Sequence, residues 1–79
     1  MAPMVHVDRT VDARGQMCPM PVLTLARVMK ELLPGQILAI SATDLGAKRD
    51  IPAWAEKTGN ALLGETEEQG VLTFYLKKV

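Results

Sequence analysis

Val5, Val7, Arg9 and Val11 alternate with His6, Asp8, Thr10 and Asp12, which is the two-residue period of a half-buried strand, and Arg14-Gly15 follows as a turn signal. A first strand is expected over residues 5–12. The period then changes: Val22, Leu25, Ala26, Met29, Leu32 and Leu33 recur at helical spacing, with Thr24, Arg27, Lys30 and Glu31 mainly on the opposite side. Pro34-Gly35 stops this amphipathic helix. Residues 36–43 are rich in β-formers, with Ile37 and Ala39 on one face and Leu38, Ile40 and Ala42 on the other, so a central strand is expected there. Asp50 suits a helix N-cap, Pro52 a first turn and Gly59 a C-terminal stop, which predicts a short second helix with Ile51, Trp54 and Ala55 toward the core. A start near Ala47, with Pro52 kinking the helix, is the alternative. Residues 61–68 and 71–78 read as two strands about a Gln69-Gly70 turn, with Leu72, Phe74 and Leu76 pointing inward.

The order βαβαββ closes most simply as an α/β (α+β) two-layer sandwich: a mixed four-stranded sheet with both helices on one face. Consecutive β-helix-β units cross over right-handedly, and the last two strands form a hairpin. If the first two strands are parallel, the loops that leave them share a rim, bringing residues 15–20 near residues 44–50. Chemistry is expected on that rim.

Composition narrows the chemistry. Seventy-nine residues make one domain, and a chain of this size buries only about 60% of its unfolded surface, so no interior site for a large cofactor is expected. Hydrophobic residues are 48% of the chain, which excludes disorder. Nine Lys and Arg balance nine Asp and Glu, and there is one Trp, one Tyr and one Phe; direct binding of nucleic acid is not expected from such a surface. No apolar run approaches the roughly 18 residues of a membrane span, and the first ten residues lack a basic stretch followed by an apolar one. A cytoplasmic protein without a membrane partner is the expectation. One Cys and one His form neither an internal disulfide nor the usual four-ligand zinc site. With no phosphate loop or serine elbow either, neither a metal, a cofactor nor an enzyme in its own right is expected.

Cys18 is the one strong nucleophile, in the segment Arg14-Gly15-Gln16-Met17-Cys18-Pro19-Met20-Pro21. Each proline disfavours helix in the residue before it, so Cys18 and Met20 are expected outside the helix and Pro21 at its first position. The sulfur then lies within a turn of the helix N-terminus, where free amides and the macrodipole favour a thiolate. Neither proline has an N–H, leaving Met20, Val22 and Leu23 as donors, and a moderately lowered pKa is expected. A lone cysteine is more often a small buried apolar residue, but a loop stiffened by two prolines presents a reactive atom instead. Arg14, Arg27, Lys30, Lys48 and Arg49 are candidates to flank this end, favouring an anion or docking an acidic partner. Asp50 is read chiefly as the helix cap and Asp44 as shaping its loop. Met17, Met20, Leu23 and Trp54 are candidates for an apolar collar, Trp54 fitting the core better. His6, about six residues before the end of its strand, falls on the order of 20 Å from Cys18 and is no general base for it.

Cys18-Pro19-Met20-Pro21 opening the first helix resembles the signature of the TusA (SirA-like) family of small sulfur carrier proteins. Asp12-Ala13-Arg14-Gly15, Pro34-Gly35, Thr43-Asp44 and Arg49-Asp50-Ile51-Pro52 through Gly59 resemble the family's pattern too, so the likeness runs from about Val7 to Lys78. It implies the same βαβαββ fold and a Cys18 that carries sulfane sulfur as a persulfide. Pro19, Met20 and Pro21, with Met17, Arg14, Arg27, Asp44, Arg49 and Asp50, are then the expected motif and partner-binding surface, Arg49-Asp50 on both the resemblance and the rim position. The implied partners are a cysteine desulfurase or rhodanese as donor and a DsrE-like or other thiol protein as acceptor, serving tRNA thiolation, molybdenum cofactor assembly or sulfur oxidation. Met20 departs from the acidic residue that many relatives carry between the prolines, which makes the rim less negative. A chain with one thiol has no resolving cysteine, so any sulfur cargo must leave to another protein. The alternative is a redox or regulatory interaction module acting through Cys18 mixed disulfides.

Overall fold

Four strands and two helices alternate in the expected βαβαββ order in the computed structural model, which describes residues 6–79: β1 (Arg9–Ala13), α1 (Met20–Met29), β2 (Ile37–Ala42), α2 (Ala47–Thr58), β3 (Ala61–Glu68) and β4 (Val71–Lys77). The sheet order is β1-β2-β4-β3, with β1 parallel to β2 and both other pairs antiparallel. As the alternation requires, Val11, Ile40 and Phe74 stand side by side across three strands, as do Ala13, Ala42 and Leu72. These rows are buried in one cluster with Leu25 and Met29 of α1 and Ala47, Ile51 and Ala55 of α2, so both helices cover one sheet face. Leu38 and Leu76 complete the layer from the two interior strands. Each fully buried side chain of this size contributes about 1.5–3 kcal/mol.

The boundaries differ from expectation for reasons visible in the hydrogen bonds. β1 begins at Arg9 and runs to Ala13, one residue past the expected end, while Val5 lies outside the described residues. Asp8 closes the ladder: its N–H donates to the Ile37 carbonyl and its Oδ2 accepts the Ile37 N–H, both at 2.8 Å. A side-chain oxygen thus takes the N–H that a further residue of β1 would have paired with. α1 begins at Met20, so Met20 lies inside the helix and Pro21 at its second position, not its first. α1 also ends at Met29, ahead of Pro34-Gly35, because the chain tightens into turns in which Glu31 and Leu32 donate to the carbonyls of Val28 and Met29. Leu32 still reaches the core, but Leu33 is exposed.

α2 starts at Ala47, the alternative reading, and Asp50 is not its cap. The Asp50 N–H already donates to the Gly46 carbonyl at 2.9 Å, which makes Asp50 part of the first turn and frees its carboxylate for other work. Pro52 lies inside the helix and offers no N–H to the Lys48 carbonyl. Gly59, left-handed at φ 79°, ends the helix. Gln69 and Gly70 both have positive φ, 52° and 80°, as a two-residue type I′ hairpin demands. Among the described residues, no helix is long and apolar enough to cross a membrane.

Phe74 is fully buried in the middle of β4, whereas Leu33 is 68% exposed. Phe74→Ala is expected to lower the unfolding free energy by about 3–5 kcal/mol and Leu33→Ala by less than about 0.5 kcal/mol, read from urea denaturation midpoints.

Candidate functional site

Parallel pairing of β1 and β2 brings the β1–α1 and β2–α2 loops to one rim, as the topology requires. Two long-range bonds then join the loops. The Gly15 N–H donates to Thr43 Oγ1 at 2.9 Å, and the Cys18 N–H donates to Asp44 Oδ2 at 2.8 Å. Gly46 makes the approach feasible: a Cβ there would stand 3.2 Å from Asp44 Oδ2 and 3.6 Å from Cys18 Cβ. The Cys18–Pro19 peptide is cis. Cys18 is exposed, and its Sγ donates to Asp50 Oδ2 at 2.9 Å. The other oxygen of Asp50 faces Arg49 Nε at 3.5 Å.

This arrangement holds the thiol in its neutral form, which corrects the expectation of a lowered pKa. The hydrogen bond to Asp50 pushes the Cys18 pKa up, with desolvation and the charges of Asp50 and Asp44 adding to it and Arg49 opposing. The same bond, with Arg49 beside it, holds the Asp50 carboxyl below the usual carboxylate range. Two of the three amides expected to stabilise a thiolate are engaged elsewhere: Met20 donates to the Met17 carbonyl at 2.8 Å and Leu23 to the Pro19 carbonyl at 3.2 Å. With a raised thiol pKa, the folded state binds the proton more tightly, so this stabilisation is complete below the ordinary thiol range and is lost as pH rises through the raised value. The lowered Asp50 pKa contributes above the ordinary carboxylate range and is lost as pH falls through it. Both are intact at neutral pH.

The rim gathers some of the candidate residues and not others. Asp44, Arg49 and Asp50 meet at the thiol. Arg14 lies in the same loop, but its guanidinium turns back onto Asp12, with Nε and Nη2 at 2.8 and 2.9 Å from the two carboxylate oxygens, and holds the Asp12 pKa down to about 2. Lys48 is turned to Glu67 of β3 at 3.3 Å. Arg27 sits two turns along α1, about 10 Å beyond Met20, and does not flank the thiol. Lys30 lies further still. It lines a groove of about 340 Å³ with Ala26, Met29, Trp54 and Thr58, between the C-terminal halves of the two helices. Trp54 is therefore half-buried against the core and no part of a collar. Met17, Met20 and Leu23 are exposed beside the motif, as expected. Leu45, 72% exposed between Asp44 and Gly46, joins them; its place in the rim loop was the signal, and sequence reasoning passed over it. His6, 3.4 Å from Asp8, precedes β1, at the end of that strand away from the rim loops. Among the described residues, no group of three or more His, Cys, Asp or Glu could hold a metal ion.

The family model described as "Sulfurtransferase TusA" matches residues 9–78. YrkI of Bacillus subtilis (strain 168) is 45% identical over 71 residues, covering 90% of this chain and 95% of that protein. The sulfur carrier protein TusA of Pseudomonas entomophila (strain L48) is 40% identical over 78 residues, covering 99% and 96%. The crystal structure of a SirA-like protein from Desulfitobacterium hafniense superposes with a TM-score of 0.78 over 87% of this chain and 95% of that one; at 24% identity this likeness concerns the fold. The chain belongs to the TusA family.

Asp44 anchors the cysteine loop through one backbone bond. In Asp44→Ala the Cys18 amide is expected to exchange with solvent about tenfold faster or more, while Asp44→Asn, which keeps an acceptor oxygen, retains most of the protection. Hydrogen exchange followed by NMR reads both.

Proposed function

We propose that this TusA-family chain is a sulfur carrier that holds sulfane sulfur as a persulfide on Cys18. The supporting observation is the thiol itself: the chain's one cysteine, exposed, on a loop whose backbone is pinned to the neighbouring loop. A pinned loop meets a partner without a further ordering cost. Loading is a displacement at sulfur. The Cys18 sulfur attacks the outer sulfur of a donor persulfide, the donor S–S bond breaks, and the donor cysteine leaves with the electron pair and takes up the proton that Cys18 gives up. The product is Cys18–S–SH and a free donor thiol, with no net oxidation. Delivery repeats the step: an acceptor thiolate attacks the outer sulfur, and Cys18 departs and regains a proton.

The donor fitting this chemistry is a cysteine desulfurase or a rhodanese-type protein, and the acceptor is a DsrE-like or other thiol protein. Routes ending in tRNA thiolation, molybdenum cofactor assembly or sulfur oxidation use such a relay. The exposed Met17, Met20, Leu23 and Leu45 supply apolar contact area around the motif. As a stoichiometric carrier acting in the cytoplasm, the protein turns over only through its partners.

Incubation with a cysteine desulfurase and cysteine is expected to add about 32 Da, one sulfur atom, to the wild type and nothing to Cys18→Ser, by intact-mass spectrometry. Mixed disulfides at Cys18 without transferable sulfur would instead support a redox module and overturn the carrier reading.

A further inference from the structure

We propose that Asp50 is a positioning residue that holds the proton of the unloaded Cys18 thiol and so favours reaction with donors that set a cation against its carboxylate. The inference deepens the carrier reading and rests on it for the identity of the natural donor. The geometry carries it. Asp50 lies 32 residues from Cys18 in sequence, yet its Oδ2 accepts the Sγ–H at 2.9 Å, while Asp44 Oδ2 takes the amide of the same cysteine at 2.8 Å. A thiolate formed there would face one carboxylate in contact and a second attached to its own backbone. The charged groups around the sulfur are Asp44 from the β2–α2 loop and Arg49 and Asp50 from α2. α1 places no acidic residue in its first turn, and Arg14 is paired with Asp12.

Among the described residues, Arg49 is the cation that offsets these carboxylates, and it does so weakly. Its Nε is 3.5 Å from Asp50 Oδ1 and its side chain is 88% exposed, so solvent screens it. The outer oxygen of Asp50 is thus open to a stronger cation. A donor presenting Lys or Arg beside its persulfide would neutralise Asp50 as the partners dock, loosen its hold on the Sγ proton and let the sulfur attack, that proton passing to the donor sulfur as it departs. An anionic oxidant or disulfide meets the opposite field. Exposure and selectivity are reconciled in this way: the sulfur is accessible to everything, but ionises readily only beside a positive charge. The rim thus suits a cationic donor face, where the sequence suggested cations awaiting an acidic one.

Cys18 is the only cysteine, so labelling rates read it directly. The pH dependence of alkylation by neutral iodoacetamide is compared in wild type, Asp50→Asn and Arg49→Ala. Asp50→Asn keeps an acceptor but removes the charge, and its midpoint is expected at lower pH. For each unit of that shift the thiolate fraction at pH 7 rises about tenfold and thiolate nucleophilicity falls about threefold, so the rate rises about threefold. Arg49→Ala is expected to move the midpoint to higher pH, and Asp50→Ser, which also removes the charge, gives the same downward shift if Asp50→Asn does not fold. Thiol–disulfide exchange with cationic cystamine and with an anionic aromatic disulfide gives the second readout: the cationic-to-anionic rate ratio falls several-fold in Asp50→Asn. Midpoints that coincide in all three proteins, or an unchanged ratio, overturn the proposal. Failure of the wild type to gain sulfur would overturn the carrier reading and leave these rates as they are.

Discussion

The hydrogen bond from the Cys18 amide to Asp44, spanning 26 residues, is the constraint on which the rest of the site depends. A loop between a strand and a helix is ordinarily the most mobile part of a two-layer sandwich. Here it is held to the equivalent loop of the next β-α unit, because β1 and β2 run parallel and end at the same rim. Gly46 leaves out a Cβ that would crowd Asp44 Oδ2, and Gly15 adds a second tie to Thr43. With the backbone fixed, Sγ falls within reach of Asp50 in the first turn of α2. The thiol chemistry follows from topology: a helix that began at Ile51, with Asp50 as its cap, would have turned that carboxylate toward its own backbone amides.

Charge follows the same logic. The chain is formally neutral, yet the neutrality is not local. Arg14, Lys48 and Arg9 each contact a carboxylate away from Cys18, on Asp12, Glu67 and Glu31 respectively. Among the described residues, Asp44 and Asp50 are left to dominate the field at the sulfur, with the exposed Arg49 against them. Counting cations near the motif in sequence therefore misjudges the sign at the rim, because an arginine bound bidentately by its neighbour two residues away has little field left to lend.

Much of the fold was legible because its signals are periodic and short-ranged. The alternation in β4, the helical spacing from Val22 to Met29 and the positive-φ turn at Gln69-Gly70 each needed only their own window of sequence. Element ends were less legible, since they turn on which group reaches an orphan N–H first. Asp8 took the amide of Ile37 from 29 residues away, a pairing that no local propensity encodes, and the Gly46 carbonyl took the amide of Asp50 in a helical turn that competed with the cap Asp50 offered. At the site, the motif pointed to Cys18 and to the rim, whereas the state of its proton depended on a partner 32 residues away. The dipole argument for a thiolate was sound in kind and lost in magnitude: Met20 and Leu23 give their amides to backbone carbonyls, and a full carboxylate in contact outweighs the half charge of a helix end.

A raised thiol pKa trades speed at neutral pH for restraint toward stray oxidants. A thiolate stabilised by a helix terminus is abundant but weakly nucleophilic, and it reacts with any small oxidant that reaches it. A thiol bonded to Asp50 is scarce as thiolate, and the greater nucleophilicity of each thiolate formed offsets only part of that scarcity. In the carrier reading, a Cys18 that carries a second sulfur has no Sγ hydrogen left to donate, so the contact with Asp50 exists only in the unloaded protein. Each delivery restores that bond, and each loading gives it up. In the carrier reading the carboxylate therefore favours the empty state and, with it, handing sulfur on over storing it.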